Sequence, residues 1–303
     1  MSVLNKLIVS TLPAVPKPII RKFANRYIAG EEIADAVRVV RELNAIGAMA
    51  TLDVLGEDIH RRDEAVLSRS LILDVLTAIS REHLDSNVSI KLTQLGLKLG
   101  KEFCLENARQ IVVKALEQKS LIRIDMEDSS CTDDTLWVYR RLRTEFDNVG
   151  IVLQAYLRRT QADAESLMQE GMMNFRLCKG IYVEPAAIAY KTHAEVNANF
   201  MRVLESMLLR KAYAGIATHD PELVGASSGL VKRMGLQKSE YEFQMLLGVR
   251  PDVRARILGD GHRLRIYVPF GKQWYQYSVR RFKENPQIAG YVLKSLFSRN
   301  HFN

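Results

Sequence analysis

Hydrophobic and polar positions along the chain alternate between two patterns. Short runs rich in apolar and β-branched residues occur eight times: AMATLDVL (48–55), NVSIKLTQLG (87–96), LIRIDMED (121–128), GIVLQAY (150–156), NFRLCKGIY (174–182), GIATHD (215–220), YEFQMLLG (241–248) and RIYVPFG (265–271). Runs of this length and composition predict buried strands. Between them apolar residues recur every three or four positions. The spacing is clearest in DEAVLSRSLILDVLTAISREH (63–83), and ENARQIVVKALEQ (106–118) and VNANFMRVLESMLLRKAYA (196–214) repeat it. Such spacing predicts helices with one buried face.

Strand and helix alternating eight times over about 250 residues is the signature of a closed parallel barrel. A doubly wound open sheet usually has fewer strands and a glycine-rich turn after the first one. Neither GxGxxG nor GxxxxGK(S/T) is present. Residues 1–45 read as helices that precede the first strand, with AVRVVRELNAIG (36–47) among them, and the stretch after the last strand again reads as helical. The expectation is an α/β protein of one domain, 1–303, with N-terminal helices over 1–45. The barrel would span 46–271 and a C-terminal helical segment 272–303.

Composition narrows the function classes. With 303 residues, 47% apolar and 26% charged, the chain has a globular composition and can bury a large core without staples. Cys104, Cys131 and Cys178 are odd in number and far apart, which argues against a disulfide framework and fits a reducing compartment, the cytoplasm. The six histidines are scattered and never form an i, i+4 pair. The net charge of +8 is spread without a basic tail or a Lys/Arg run. This disfavours a nucleic-acid partner and is compatible with an anionic membrane surface. No convincing secretory cleavage site follows the apolar stretch at residues 4–12, and no run of 18 apolar residues exists to span a bilayer.

Chemistry in such barrels sits at the C-terminal ends of the strands. There the sequence places Glu57, Lys91, Asp125, Glu127, Gln154, Tyr156, Arg176, Lys179, Tyr182, Thr218, His219, Asp220, Glu242, Gln244 and Tyr267. Strands buried on both faces are normally near-continuous apolar runs. Polar groups in nearly every one therefore predict a pocket. Taken singly, each has a plainer reading. Lys91 suits a salt bridge inside the barrel, and His219 suits a hydrogen-bonded core histidine. Asp125 and Glu127 alternate with Ile124 and Met126, so they are expected on one side, able to share a proton or hold a metal. Arg176 and Lys179, with Gly180 following, suit an anion, an electron-rich ring or a structural ion pair.

Further on, Arg280 and Arg281 stand among aromatics. On a helix Tyr277, Arg280 and Glu284 share a face by their spacing, and Arg281 lies four residues from Tyr277. Two guanidinium groups approaching from two directions suit a carboxylate. The ligand read from this pattern is a small carboxylate with an apolar body.

The pieces LGE (55–57), SIKLTQLG (89–96), RIDMEDS (123–129), IVLQAY (151–156), RLCKGIYVEP (176–185), ATHD (217–220), YEFQMLLG (241–248), RIYVPFG (265–271) and WYQYSVRRFKENP (274–286) occur in colinear order. Together they resemble the FAD-dependent proline dehydrogenases, in their short bacterial monofunctional form. The resemblance implies a distorted (β/α)8 TIM-type barrel with an N-terminal helical extension. It implies oxidation of L-proline to 1-pyrroline-5-carboxylate by hydride transfer from C5 to the flavin N5, the first step of proline catabolism to glutamate. The electrons would pass to a membrane quinone, with the protein peripheral on the inner face of the cell membrane.

The resemblance also implies roles. Asp125 and Tyr182 would be the catalytic positions. Lys91, Tyr267, Tyr277, Leu246 and Glu284 would line the substrate pocket, Arg280 and Arg281 would bind the carboxylate, and Glu57 would pair with Arg280 as a gate. Met126, Gln154, Arg176, Lys179, Gly180, Ile181, Thr218, His219 and Gln244 would hold FAD, and no metal is implied. Tyr267 resembles members that prefer proline to hydroxyproline. Cys178 and Ile181 stand where other small or apolar residues are common. The chain length is expected to leave no room for an aldehyde dehydrogenase module or a DNA-binding segment. Two readings of other classes compete: a Schiff-base lyase using Lys91 or Lys179, and a basic protein that binds nucleic acid or membrane.

Overall fold

The computed structural model describes residues 20–21, 24–56, 59–275 and 277–279. Eight strands pair in parallel in chain order: β1 (Met49–Val54), β2 (Ser86–Ile90), β3 (Ile122–Ile124), β4 (Val149–Gln154), β5 (Asn174–Cys178), β6 (Tyr213–Ala217), β7 (Tyr241–Leu246) and β8 (Leu264–Phe270). β8 pairs with β1 from Met49 opposite Arg265 to Val54 opposite Phe270, and this closes the barrel. Each of the eight apolar runs holds one strand, as expected.

The helices are α1 (Ile33–Ala45), α2 (Arg62–Arg81), α3 (Lys101–Glu117), α4 (Thr132–Arg143), α5 (Thr160–Gln169), α6 (His193–Leu209), α7 (Pro221–Arg233) and α8 (Pro251–Gly259). Their starts reflect local chemistry. Thr192 and Glu195 form a capping box on α6. The Asp220 carboxylate accepts the Glu222 backbone N–H at the start of α7, where Pro221 occupies a first-turn position that needs no donor. Between strands and helices lies the main core, in which Val88, Ile90, Ile122, Ile124, Ile151 and Phe243 are fully or almost fully buried. Each such side chain contributes about 1.5–3 kcal/mol of burial free energy.

The barrel departs from regular geometry at its seam. α1 precedes β1, yet it packs on β8 and β1, burying Ala36, Val37, Val40 and Leu43. It fills the outer position that a helix after β8 would take in a regular barrel. After β8 the chain turns at Gly271, whose N–H donates to the Gly30 carbonyl. Helical residues then place Tyr277 and Trp274 against Leu55, Ala24, Ile28 and Tyr27, at the C-terminal mouth of the barrel. Residues 1–19 and 280–303 lie outside the described residues, so the helices expected there are not described.

Two runs hold shorter strands than their composition suggests. β2 stops at Ile90, and the chain folds into 3-10 turns at Thr93–Leu95 and Leu97–Leu99, with Gly96 at φ 97° between them. The apolar Leu92, Leu95 and Leu97 are buried in this cover instead of in the sheet. β3 stops at Ile124, and residues 125–128 form a loop.

The inside of the barrel is polar from floor to mouth. At the floor Thr51 Oγ1 donates to Asn87 Oδ1 at 2.6 Å, and Arg123 Nη2 donates to Asn174 Oδ1 at 2.6 Å. Buried Glu242 accepts from Arg265 Nε at 2.7 Å, from the Tyr213 hydroxyl at 2.7 Å and from Gln244 Nε2 at 2.6 Å. Every inward polar group then has to find a partner inside the bore. The contacts upward from Glu242 show how the site is held.

Candidate functional site

A cavity of about 390 Å³ opens at the C-terminal mouth. That is within the usual size of a small-molecule site. At its base stands Asp125, just past β3. Its Oδ1 accepts from Arg176 Nη1 at 2.9 Å and from Ser89 Oγ at 2.5 Å. Its Oδ2 accepts from the Tyr267 hydroxyl at 2.8 Å and from Lys91 Nζ at 3.3 Å. Lys91 Nζ also donates to Tyr267 Oη at 3.1 Å and to Asp53 Oδ1 at 2.7 Å. Arg176 Nε donates to Gln244 Oε1 at 2.5 Å, and Gln244 in turn rests on Glu242. Sheet register brings these side chains together, since Asp53 is level with Ser89 and Val152 with Arg176.

The charge states reflect these partners. Burial pushes Lys91 towards the neutral amine, but Asp53, Tyr267 and Asp125 outweigh it and hold the ammonium well above its ordinary value. Burial pushes Asp125 up, and Lys91, Arg176, Ser89 and Tyr267 together bring it below the usual carboxylate value. Tyr267 is raised well above the ordinary phenol, first by burial and then by Asp125 and Asp53. Near neutral pH Lys91 is therefore an ammonium, Asp125 a carboxylate and Tyr267 a neutral phenol.

The opposite wall is built by the ends of β4 to β7. Gln154 Nε2 donates to the Glu127 carbonyl at 2.8 Å. Lys179 Nζ lies 2.6 Å from Asp220 Oδ2 and 2.8 Å from His193 Nε2. His219 Nε2 accepts the Leu246 N–H at 2.7 Å. Thr218 borders the cavity beside them, and its hydroxyl accepts the Asp220 N–H at 3.1 Å. Gly180 has φ +101°, and a Cβ there would come within 2.1 Å of the Tyr156 ring. Only glycine brings this wall so close to the ring. Met126, Val152, Met245 and Leu246 give apolar surface, and Ile181, Tyr182 and Tyr277 line the cavity as well. The rim loop is tied down by buried Glu184, which accepts from Ser129 N at 2.7 Å and Ser129 Oγ at 2.6 Å.

All expected site residues that are described border this one cavity: Lys91, Asp125, Met126, Gln154, Arg176, Lys179, Gly180, Ile181, Tyr182, Thr218, His219, Gln244, Leu246, Tyr267 and Tyr277. Glu57, Arg280, Arg281 and Glu284 lie outside the described residues. Glu127 does not join Asp125. The chain leaves the strand after Ile124, so alternation no longer applies, and the Glu127 carboxylate instead accepts from Thr93 N at 3.0 Å and from the Thr93 hydroxyl. Among the described residues no group of three or more His, Cys, Asp or Glu side chains is placed to hold a metal ion. Sequence reasoning passed over Asp53 and Ser89. Their signal was present, because an acid inside the apolar run AMATLDVL has to meet a cation.

A polar-based, apolar-walled cavity at the C-terminal mouth of a (β/α)8 barrel defines an enzyme of the TIM-type class. Comparison with known proteins makes the class specific. The family model described as proline dehydrogenase matches residues 36–293. Proline dehydrogenase 1 of Bacillus subtilis (strain 168) is 37% identical over 276 residues, covering 91% of this chain and 91% of that protein. Proline dehydrogenase of Deinococcus radiodurans is 36% identical over 278 residues, covering 90% of this chain and 89% of that one. The crystal structure of proline utilization A from Bdellovibrio bacteriovorus, inactivated by N-propargylglycine, superposes with a TM-score of 0.82 at 25% identity. It matches 93% of this chain, which spans only 34% of that longer one. The chain belongs to the proline dehydrogenase family, oxidoreductases of proline catabolism.

Proposed function

We propose that this protein oxidises L-proline to 1-pyrroline-5-carboxylate with FAD as its cofactor and a membrane quinone as the final electron acceptor. The observation that carries the reading is the hydrogen-bonded cluster of Asp125, Lys91, Arg176 and Tyr267 at the base of an apolar-walled cavity, in a chain of this family. The donor set fits a flavin. Arg176, Lys179, Gln154 and Gln244 border the same cavity as the apolar side chains of Met126, Val152, Ile181 and Met245. Bound there, FAD supplies a two-electron acceptor for the hydride that leaves proline C5.

The chain's own groups hold and tune the substrate. Arg280 and Arg281 would bind the carboxylate, Glu57 would pair with Arg280 as a gate, and Glu284 would line the substrate pocket. Tyr267, Tyr277 and Leu246 enclose the ring and exclude water. The amine must be neutral for its lone pair to expel hydride, and the Lys91 ammonium disfavours a second cation beside it. Asp125 fixes Lys91, Arg176 and Tyr267 in one geometry, and Tyr182 closes the rim. Met126, Gln154, Arg176, Lys179, Gly180, Ile181, Thr218, His219 and Gln244 form the cofactor wall. The Schiff-base alternative fits poorly, because a nucleophilic lysine must be neutral, whereas Lys91 is held as a cation by its three neighbours and Lys179 is ion-paired with Asp220 at 2.6 Å. No helix among the described residues is long and apolar enough to cross a membrane, and contact with the quinone-bearing membrane at its surface needs none.

An absorbance spectrum tests the proposal. The expected result is a flavin band that bleaches when L-proline is added without oxygen. Protein that takes up no flavin on reconstitution with FAD, or a band that L-proline leaves unchanged, refutes it.

A further inference from the structure

Just past β5, three groups crowd around one carboxylate oxygen. Lys179 Nζ donates to Asp220 Oδ2 at 2.6 Å and stands 2.8 Å from Nε2 of His193, the first residue of α6. His193 Nε2 is itself 3.1 Å from the same Asp220 oxygen. Asn197, one turn further along α6, donates to that oxygen at 3.2 Å, and Asp220 Oδ1 accepts the Glu222 N–H at 3.0 Å. Burial pushes the Asp220 carboxyl up, but Lys179, Asn197 and the Glu222 N–H outweigh it and bring it down to about 2. Near neutral pH it is ionised.

The imidazole has two ways to fit this arrangement. When neutral, Nε2 either accepts from Lys179 or donates to Asp220; when protonated, it can only donate. Protonation therefore turns Nε2 to Asp220, takes an acceptor away from Lys179 and adds a positive charge beside it. The other charged groups around the ring are Glu195 on its own helix, with Arg158 across from it, and Glu222 and Arg250 near Asp220. Ordinary carboxylates and guanidinium groups keep their charge between about pH 6 and pH 8. Histidine is the side chain that changes charge there.

Of the lysines and arginines that border the cavity, Lys91 and Arg176 are held on Asp125 at its base. Lys179 is more exposed than either, at 25% against 10% and 7%. A hydrated diphosphate on this wall would meet Lys179 and not the base. We propose that His193 is a further cofactor-binding residue, which with Asp220 clasps Lys179 and, when protonated, adds a second cation for the diphosphate of FAD while releasing a Lys179 N–H towards it. This rests on the flavin reading above. FAD is then bound more tightly as pH falls, and by reciprocity bound FAD favours the protonated ring.

The test is the Kd for FAD of the full-length chain stripped of flavin, read from quenching of flavin fluorescence at about pH 8 and about pH 6. The parent Kd should fall about 2–5-fold towards pH 6, the effect of one partly exposed charge, and the trend should fade in about 1 M salt. The FAD diphosphate keeps its charge over this range, so the trend belongs to the protein. H193Q should show no trend, and H193K should bind at pH 8 as tightly as the parent does at pH 6. The His193 side chain is 68% exposed, so both variants are expected to fold. A parent Kd equal at both pH values, a trend that survives in H193Q, or an H193K that binds no tighter than H193Q at pH 8 overturns the proposal. A chain that takes up no FAD at either pH sinks the proposed function instead, so the two failures are distinguishable.

Discussion

Replacing Glu242 with Gln probes the buried floor of the barrel. Glu242 is 2% exposed and takes hydrogen bonds from Arg265 at 2.7 Å, Tyr213 at 2.7 Å and Gln244 at 2.6 Å. Gln keeps the shape, loses the charge and turns an NH2 group towards these donors. Arg265, 9% exposed, keeps only neutral partners, the Ala50 carbonyl at 2.7 Å and the Met49 sulfur. Removing one partner of a buried pair costs about 3–5 kcal/mol, whereas removing both is often neutral. At roughly 2–4 °C per kcal/mol for chains of 150–250 residues, the melting temperature should fall by about 6–20 °C. Thermal and urea melts followed by circular dichroism at pH 7 read the change, with E242L/R265M expected to melt above E242Q. The pH dependence gives a second check. Burial pushes Glu242 up, but Arg265, Tyr213 and Gln244 outweigh it, and its folded value lies below 4.5. The stabilisation is then complete above about pH 4.5 and is lost as pH falls through the folded value. A melting temperature within about 2 °C of the parent at pH 7, or a gap that is no smaller at pH 3, refutes the reasoning.

Other perturbations test neighbouring claims. In G150A the new Cβ would sit 2.3 Å from Arg123 Nη1 and 2.8 Å from Asn174 Oδ1. An overpacking loss of about 1–3 kcal/mol is expected in urea melts, and R123M should relieve part of it. Y267F removes the hydroxyl that donates to Asp125 at 2.8 Å and accepts from Lys91 at 3.1 Å. Leaving those groups unmet should cost about 1–3 kcal/mol of stability, seen as a fall in melting temperature of roughly 2–12 °C, and kcat/KM for L-proline should fall as well. R281K replaces a planar two-donor group with a point charge and should raise KM for L-proline by at least about 10-fold; an unchanged KM removes Arg281 from the carboxylate site.

Periodicity made the barrel legible because eight apolar runs and the helical spacing between them report the same architecture from two directions. Val88, Ile90, Ile122 and Ile124 declare their burial by type alone. The site was legible for a related reason. A polar group in a strand buried on both faces has to be satisfied inside the bore, so Lys91, Arg176, Gln244 and Tyr267 signalled a pocket before any geometry was known. Glu127 shows the limit. Two-residue alternation holds only while the backbone stays extended, and nothing in RIDMED marks that the strand stops at Ile124. Asp53 shows another limit. Its partner lies just past the end of the next strand, 38 residues on, and only the barrel register brings the two together. The seam was hidden too, because the amphipathic pattern of α1 gives the buried face and not the strands it covers. That β8 and β1 receive it depends on where the chain goes after Gly271.

The charges of the bore bear on what it can bind. Lys91, Arg123, Arg176 and Arg265 face Asp53, Asp125 and Glu242, one cation more than the carboxylates. The surplus falls on Arg123. It is 2% exposed, donates to the carbonyls of Ile151 and Asn174 and to the Asn174 side chain, and has no carboxylate within ion-pair distance among the described residues. Burial, with Arg176 adding to it, pulls its value down to about 10, so near neutral pH it remains charged. A buried, unpaired cation at the floor raises the potential along a low-dielectric bore up to its mouth. A neutral ligand would gain little from that field, and a cationic one would be repelled. An anion at the mouth gains from it, and the proposed ligands carry the matching sign: proline brings a carboxylate, and FAD a pyrophosphate. The same field disfavours the protonated amine of proline, so in the proposed reaction one surplus charge placed far from the reacting atoms would favour both carboxylate binding and the neutral amine that hydride release requires.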